Sequence, residues 1–303
     1  MARKKQRRKA PERSKASELP SGFQRVASPK TRLKPIFAVL TEVARAGDVA
    51  LSETLDDRSP LARFDAGMLM RAVNAIKAIG LLLGDAHWEF AAPAARQLFE
   101  LVVNAEHLGR EDDREQATLR YALFGMLQMA QHEQKSTAYD AKTGRPINEE
   151  RRQVIDAMLG GEMFAAFRVE KPGKAPRWQS SWAGKNTREL AALSSNRLRL
   201  DQYTLLFSRW SEEAHGSPGA LLEGLMPPLS GRGPGEIVES DDRQIIELAA
   251  MATALFIELW ELLPALPAFD RRQHAAWMQR IMTVAIAHGA APPPSAETRA
   301  DED

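Results

Sequence analysis

The sequence predicts an all-α fold, a multi-helix bundle of eight or nine helices between disordered termini. Three observations point there. Apolar residues recur at three- and four-residue spacing through most of the chain. Period-two alternation, the mark of half-buried strands, is nearly absent. The composition, 44% apolar and 27% charged over 303 residues, suits a globular chain with a substantial core.

The helices follow in order. "FDAGMLMRAVNAIKAIGLLLG" carries Met68, Ala72, Ala75, Ile76 and Ile79 as one stripe. "APAARQLFELVVNAEHLG" puts Leu98, Leu101, Val102 and Ala105 on one face, with Gly109 placed to end the helix in a left-handed turn. "DREQATLRYALFGMLQMAQHEQK" is a long amphipathic run, and "INEERRQVIDAMLGGEMFAAF" follows the turn "KTGRP". A loop with two prolines and two tryptophans, "RVEKPGKAPRWQSSWAGK", precedes "NTRELAALSS", where Asn186 or Thr187 caps a helix with Glu189 close behind. "LDQYTLLFSRWSEEAH" is stopped by "GSPG". Beyond the connector "GLMPPLSGRGPGE" come two last helices, at about 240–263 and in "DRRQHAAWMQRIMTVAIAHG". The expected division is a disordered basic tail (1–30), one helical domain (31–290) and a disordered acidic tail (291–303).

With no cysteine, disulfides, thiolate metal sites and cysteine nucleophiles are excluded. A cytoplasmic location fits that composition, and the basic N-terminus lacks the apolar run of a secretory signal. The stretch "IIELAAMATALFIELWELLPAL" holds Glu247, Glu258 and Glu261, so it reads as a core helix and no membrane span is expected. Residues 1–15 hold eight Lys/Arg against one Glu, a charge of +7; with +1 overall, the rest of the chain carries −6. Any generic attraction to nucleic acid or other anionic partners therefore resides in the tail, at Arg3, Lys4, Lys5, Arg7, Arg8 and Lys9.

"RWSEEAH" holds Arg209 and His215 six positions apart. An arginine followed after four to six residues by histidine is the pattern of the HEPN superfamily of helical ribonucleases, which this stretch resembles. The resemblance implies a homodimer in which histidine activates the ribose 2′-hydroxyl and arginine steadies the phosphate, without a metal or other cofactor. Imidazole titrating near neutrality and a forked guanidinium suit those roles. With 29 arginines and six histidines, one or two such spacings also arise by chance, and six positions on a helix leave the side chains about 120° apart. Glu212 and His215 form half of a carboxylate di-metal motif, yet no second Glu-x-x-His exists, so no metal site is assigned. The plain alternative makes His215 a helix-end residue that bonds free carbonyls.

Arg96 and Glu100 stand four apart in an apolar stretch, either as an ordinary surface pair or as part of a polar pocket. The "GRGPG" loop follows no strand and has no phosphate-loop lysine. Trp178 and Trp182 read as packing residues before binding ones.

"ARQLFELVVNAEHLGR…ATLRYALFG", then "SSWAGKNTRELA", then "YTLLFSRWSEEAHGSPG" resemble, in that order, a bacterial family catalogued as domain of unknown function 5677. The resemblance runs from about Arg96 to Gly219. It implies that Arg96, Glu100, Tyr203 and His215, from two helices that pack together, are the polar positions to watch. The expected function is a helical binding or interaction module with a polar pocket there and an anion-seeking tail. The alternative is a metal-independent HEPN-type ribonuclease, in stress or phage defence, that uses Arg209 and His215.

Overall fold

The computed structural model describes residues 27–289, except 55, 58, 171–176, 216–217, 220–221 and 223–233, and without the side chains of 213–215 and 234–240. Residues 1–26, with Arg3, Lys4, Lys5, Arg7, Arg8 and Lys9, and the acidic tail lie outside the described residues, as does most of the "GRGPG" stretch; the last residues of the expected basic tail, 27–30, are described, and Pro29 and Lys30 belong to a helical turn.

The chain is all-α, with eleven α-helical segments among the described residues. They are α1 (Pro29–Arg32), α2 (Lys34–Thr54), α3 (Pro60–Gly84), α4 (Trp88–Leu108), α5 (Arg114–Thr143), α6 (Glu149–Gly160), α7 (Thr187–Ala192), α8 (Arg199–Gln202), α9 (Ser208–His215), α10 (Pro234–Glu261) and α11 (Arg271–Ala287). Two of these, α1 and α8, are single turns of four residues. A 3₁₀ turn spans Glu162–Phe167 and a π-helical turn spans Tyr203–Phe207.

Local chemistry explains most boundaries. Ser59 accepts a hydrogen bond from the Ala62 N–H and Pro60 opens α3 with its φ already helical. Asp113, Asn148 and Asp270 cap α5, α6 and α11 in the same way. Asn186 and Glu189 form the full reciprocal capping box expected for α7.

Three expectations change. Gly109 ends α4 with φ −69°, right-handed, so the left-handed helix stop is instead Gly144 (φ +71°) after α5. The loop between α6 and α7 contains a short antiparallel pair, β1 (Arg168–Val169) and β2 (Arg177–Trp178). Absent from the sequence-derived set is α2, whose Ile36, Val39, Leu40 and Val43 are all buried.

Helix α4 is the hub, packed against α3, α9 and α10, while α2 and α11 close the far side of α3 and α10. Its Leu98, Phe99 and Val102 are fully buried, and each such side chain contributes about 1.5–3 kcal/mol. Gly47 lets α2 approach closely, since a Cβ there would lie 2.5 Å from Val73 and 2.9 Å from Phe256. A second cluster joins α5, α6 and the 3₁₀ turn through Phe124, Leu127, Phe164, Phe167 and Trp182. The stretch 245–261 lies in the core helix α10, as its apolar character predicts, with Ile245, Ala249, Phe256 and Leu259 buried, and residues 262–266 continue as a turn. By length and composition alone, α3 is the described helix able to cross a membrane. Its inner face packs on α2 and α4 and carries the fully buried Asp65, which pairs with Arg114 at 3.3 Å.

Candidate functional site

The polar residues of α4 open onto a cleft between α3, α4 and α5 of about 620 Å³. Arg63, Gly67 and Arg71 of α3 form one wall, Gln97, Glu100 and Asn104 of α4 the second, and Tyr121 and Gln128 of α5 the third. Spacings of three, four and eight residues bring these side chains to single helix faces. Phe64, Met68 and Leu101 make the apolar floor.

Several of these groups are held in place. With its amide turned to satisfy both neighbours, Gln97 accepts from Arg71 Nε at 3.2 Å and Nη2 at 2.8 Å. Asn104 donates to the Glu100 carbonyl at 2.7 Å and accepts from Trp182 Nε1 at 2.6 Å. Trp182 in turn meets the edge of Tyr121, and Tyr121 that of Phe64. Burial, then the Glu100 charge, raises the Tyr121 phenol above its ordinary pKa. Its hydroxyl has no hydrogen-bond partner among the described residues. Burial beside Trp182, reinforced by Lys185 and Arg110, lowers the pKa of His107 despite Glu111.

The sequence-predicted residues lie next to this cleft. Arg96 Nη2 donates to Glu100 at 3.3 Å and Nη1 to Ser211 Oγ of α9 at 3.1 Å, with the guanidinium 4.4 Å over the Phe207 ring. Tyr203 stacks on the same Phe207 ring, with centroids 4.9 Å apart. Arg96, Glu100 and Tyr203 are thus brought into one neighbourhood by the packing of α4 on the π turn and α9. Arg96 and Glu100 are half-exposed, at 28% and 40%, so they form a pair at the protein surface and not in the core. His215 is the last residue of α9, and its side chain lies outside the described residues.

Arg209 stands elsewhere. With Trp88, Leu205, Leu206, Trp210 and Met251 it lines an apolar pocket of about 420 Å³ between α4, the π turn, α9 and α10. Trp210 is buried there. Among the described residues no group of three or more His, Asp or Glu side chains is placed to hold a metal ion.

A second charged cluster was invisible in the sequence. Arg199 of α8, 1% exposed, donates to Glu106 of α4 at 2.8 Å, Glu258 of α10 at 2.7 Å and Gln202 at 2.6 Å. Burial works against its charge, but Glu106 and Glu258 outweigh it and raise the pKa. This cluster locks three helices together, and none of its residues lines the cleft or the apolar pocket.

Residues 66–227 match the profile of a family of unknown function (DUF5677). The chain belongs to this family. The DUF5677 span runs from α3 through α9 and holds Arg71, Gln97, Glu100, Asn104, Tyr121 and Arg199, whereas Arg63 and Glu258 fall outside it. No match is found among curated proteins or among solved structures.

Arg63, Arg71, Gln97, Asn104 and Tyr121 were missed as site residues by sequence reasoning. Tyr121 had a signal, since it belongs to the Arg–Tyr pair that carries the family resemblance. Arg63, Gly67 and Arg71 at four-residue intervals had a weaker one.

Proposed function

We propose that this DUF5677 member is a helical binding module and that its ligand site is the polar cleft between α3, α4 and α5. Tyr121 is the observation that carries this reading: the residue is half-buried on the cleft wall, and its hydroxyl has no partner among the described residues. Glu100, Asn104 and Arg71 stand around it with their orientations fixed, as a ligand site requires. A thermal-shift screen of small polar metabolites tests the assignment. Stabilising compounds are expected, with the response reduced in Tyr121→Phe and Glu100→Gln. A screen without hits, or hits indifferent to both substitutions, overturns it.

The HEPN-type alternative keeps one supporting observation, that Arg209 and His215 share helix α9. It requires RNA cleavage in EDTA that His215→Ala abolishes without unfolding the protein. Cleavage unchanged by that substitution removes it. Contact between residues 1–15 and nucleic acid is a separate proposal: deleting residues 1–20 should remove most salt-sensitive RNA binding.

A further inference from the structure

We infer that the cleft is an oxyanion site, taking the phosphate or carboxylate group of a small metabolite between Arg63 and Arg71 across the gap left by Gly67. This rests on the reading of the cleft as a ligand site and adds the class of ligand.

Arg63, Gly67 and Arg71 follow one another at single-turn intervals, so the two arginines rise from one face of α3 about 12 Å apart along its axis. A Cβ at Gly67 would meet nothing within 4 Å, so the space between them is open. The two guanidiniums differ in a useful way. Gln97 holds Nε and Nη2 of Arg71, which orients the group and leaves its Nη1 edge for a ligand. Arg63 has no side-chain partner among the described residues. A fixed fork beside an adjustable one suits an anion that needs several donors.

Charge favours the same class. Glu100 is the single carboxylate on the cleft wall, and Arg96 answers it from the α9 side at 3.3 Å. Arg63 and Arg71 therefore leave the cleft positive in a chain that is −6 beyond its first fifteen residues. Tyr121 adds a neutral donor, since burial and Glu100 disfavour its phenolate. The volume, about 620 Å³, exceeds what a bare anion fills, leaving room for an organic body over Phe64 and Leu101.

The test is equilibrium titration of the full chain with inorganic phosphate and, separately, succinate, at ionic strength held constant with sodium chloride. Saturable binding of at least one is expected, and the stronger probe identifies the anion. Arg63→Ala and Arg71→Ala should each weaken it about tenfold. Gly67→Leu should weaken it comparably while leaving the melting temperature unchanged or higher, because leucine is the better helix former. That pairing of lost binding with kept stability is one a purely structural role does not produce. Equal binding by wild type and the Arg63→Ala/Arg71→Ala double variant overturns the inference, as does failure of both probes to bind. In either case, a neutral polar ligand lost on Tyr121→Phe leaves the cleft a ligand site of another class. With no such ligand, both readings fall.

Discussion

Helix α4 carries two charged clusters that look alike in sequence and behave oppositely in space. At its C-terminal end Glu106 meets Arg199, which is closed in by Glu258 and Gln202 and is almost fully buried. About two turns earlier, Glu100 and Gln97 face an open cleft in which Arg63 and the Tyr121 hydroxyl have no partner among the described residues. In the closed cluster the protein supplies most bonds itself, with Glu106 Oε2 the one buried side-chain oxygen left unbonded among the described residues. A closed network holds helices together, and removing one partner strands a buried charge. An open one with unanswered donors has capacity to spare for something else. Burial of the arginine, and not the identity of the residues, separates the two: Arg199 is almost fully buried, whereas Arg63 and Arg71 are exposed.

That contrast can be broken by substitution. Arg199→Met should cost about 3–5 kcal/mol, because Glu106 is left buried and uncompensated. Urea denaturation measures it, and a loss under about 1 kcal/mol would place the cluster among ordinary surface pairs. Trp182→Phe should cost about 1–2 kcal/mol by leaving Asn104 Oδ1 without its donor. It should also weaken any cleft ligand by loosening Asn104, an effect Arg199→Met should not share beyond what its lower stability explains.

The pH response comes next. Burial lowers the pKa of His107, so the unfolded chain takes up a proton first as pH falls. The contribution is fully present above the unfolded value of about 6.5 and is lost as pH drops through the lower folded one. Denaturation curves between about pH 7 and pH 5 should show a decline that His107→Gln flattens. Equal slopes would mean His107 is not buried in the neutral form. The smallest change is expected in the open cluster, where Arg63→Ala should shift stability by no more than about 0.5 kcal/mol. A larger loss would make Arg63 part of the architecture and end its candidacy as a ligand contact.

The fold class was legible because helical periodicity is local. The stripes of α3, α4 and α5 and the capping box of α7 are written within a few residues of each other. Helix α2 shows the limit. Gly47, which interrupts its apolar stripe, becomes intelligible only when Val73 and Phe256 are seen packed against it. The site was legible in part. Arg96 and Tyr203 meet through Phe207, and Glu100 joins them through its pair with Arg96, as the packing of two motif helices implies. Tyr121 joins Glu100 across two helices and not along one.

What the sequence alone determined is the helical class, most helix positions and the family, all of which rest on short-range pattern or on ordered motifs. Tertiary structure decided which charges are closed in and which are left open. Arg199 and Glu258 are 59 residues apart, and Arg63 and Tyr121 nearly as far. Whether a guanidinium finds a carboxylate or faces solvent depends on which helices pack together, and no spacing along the chain encodes that.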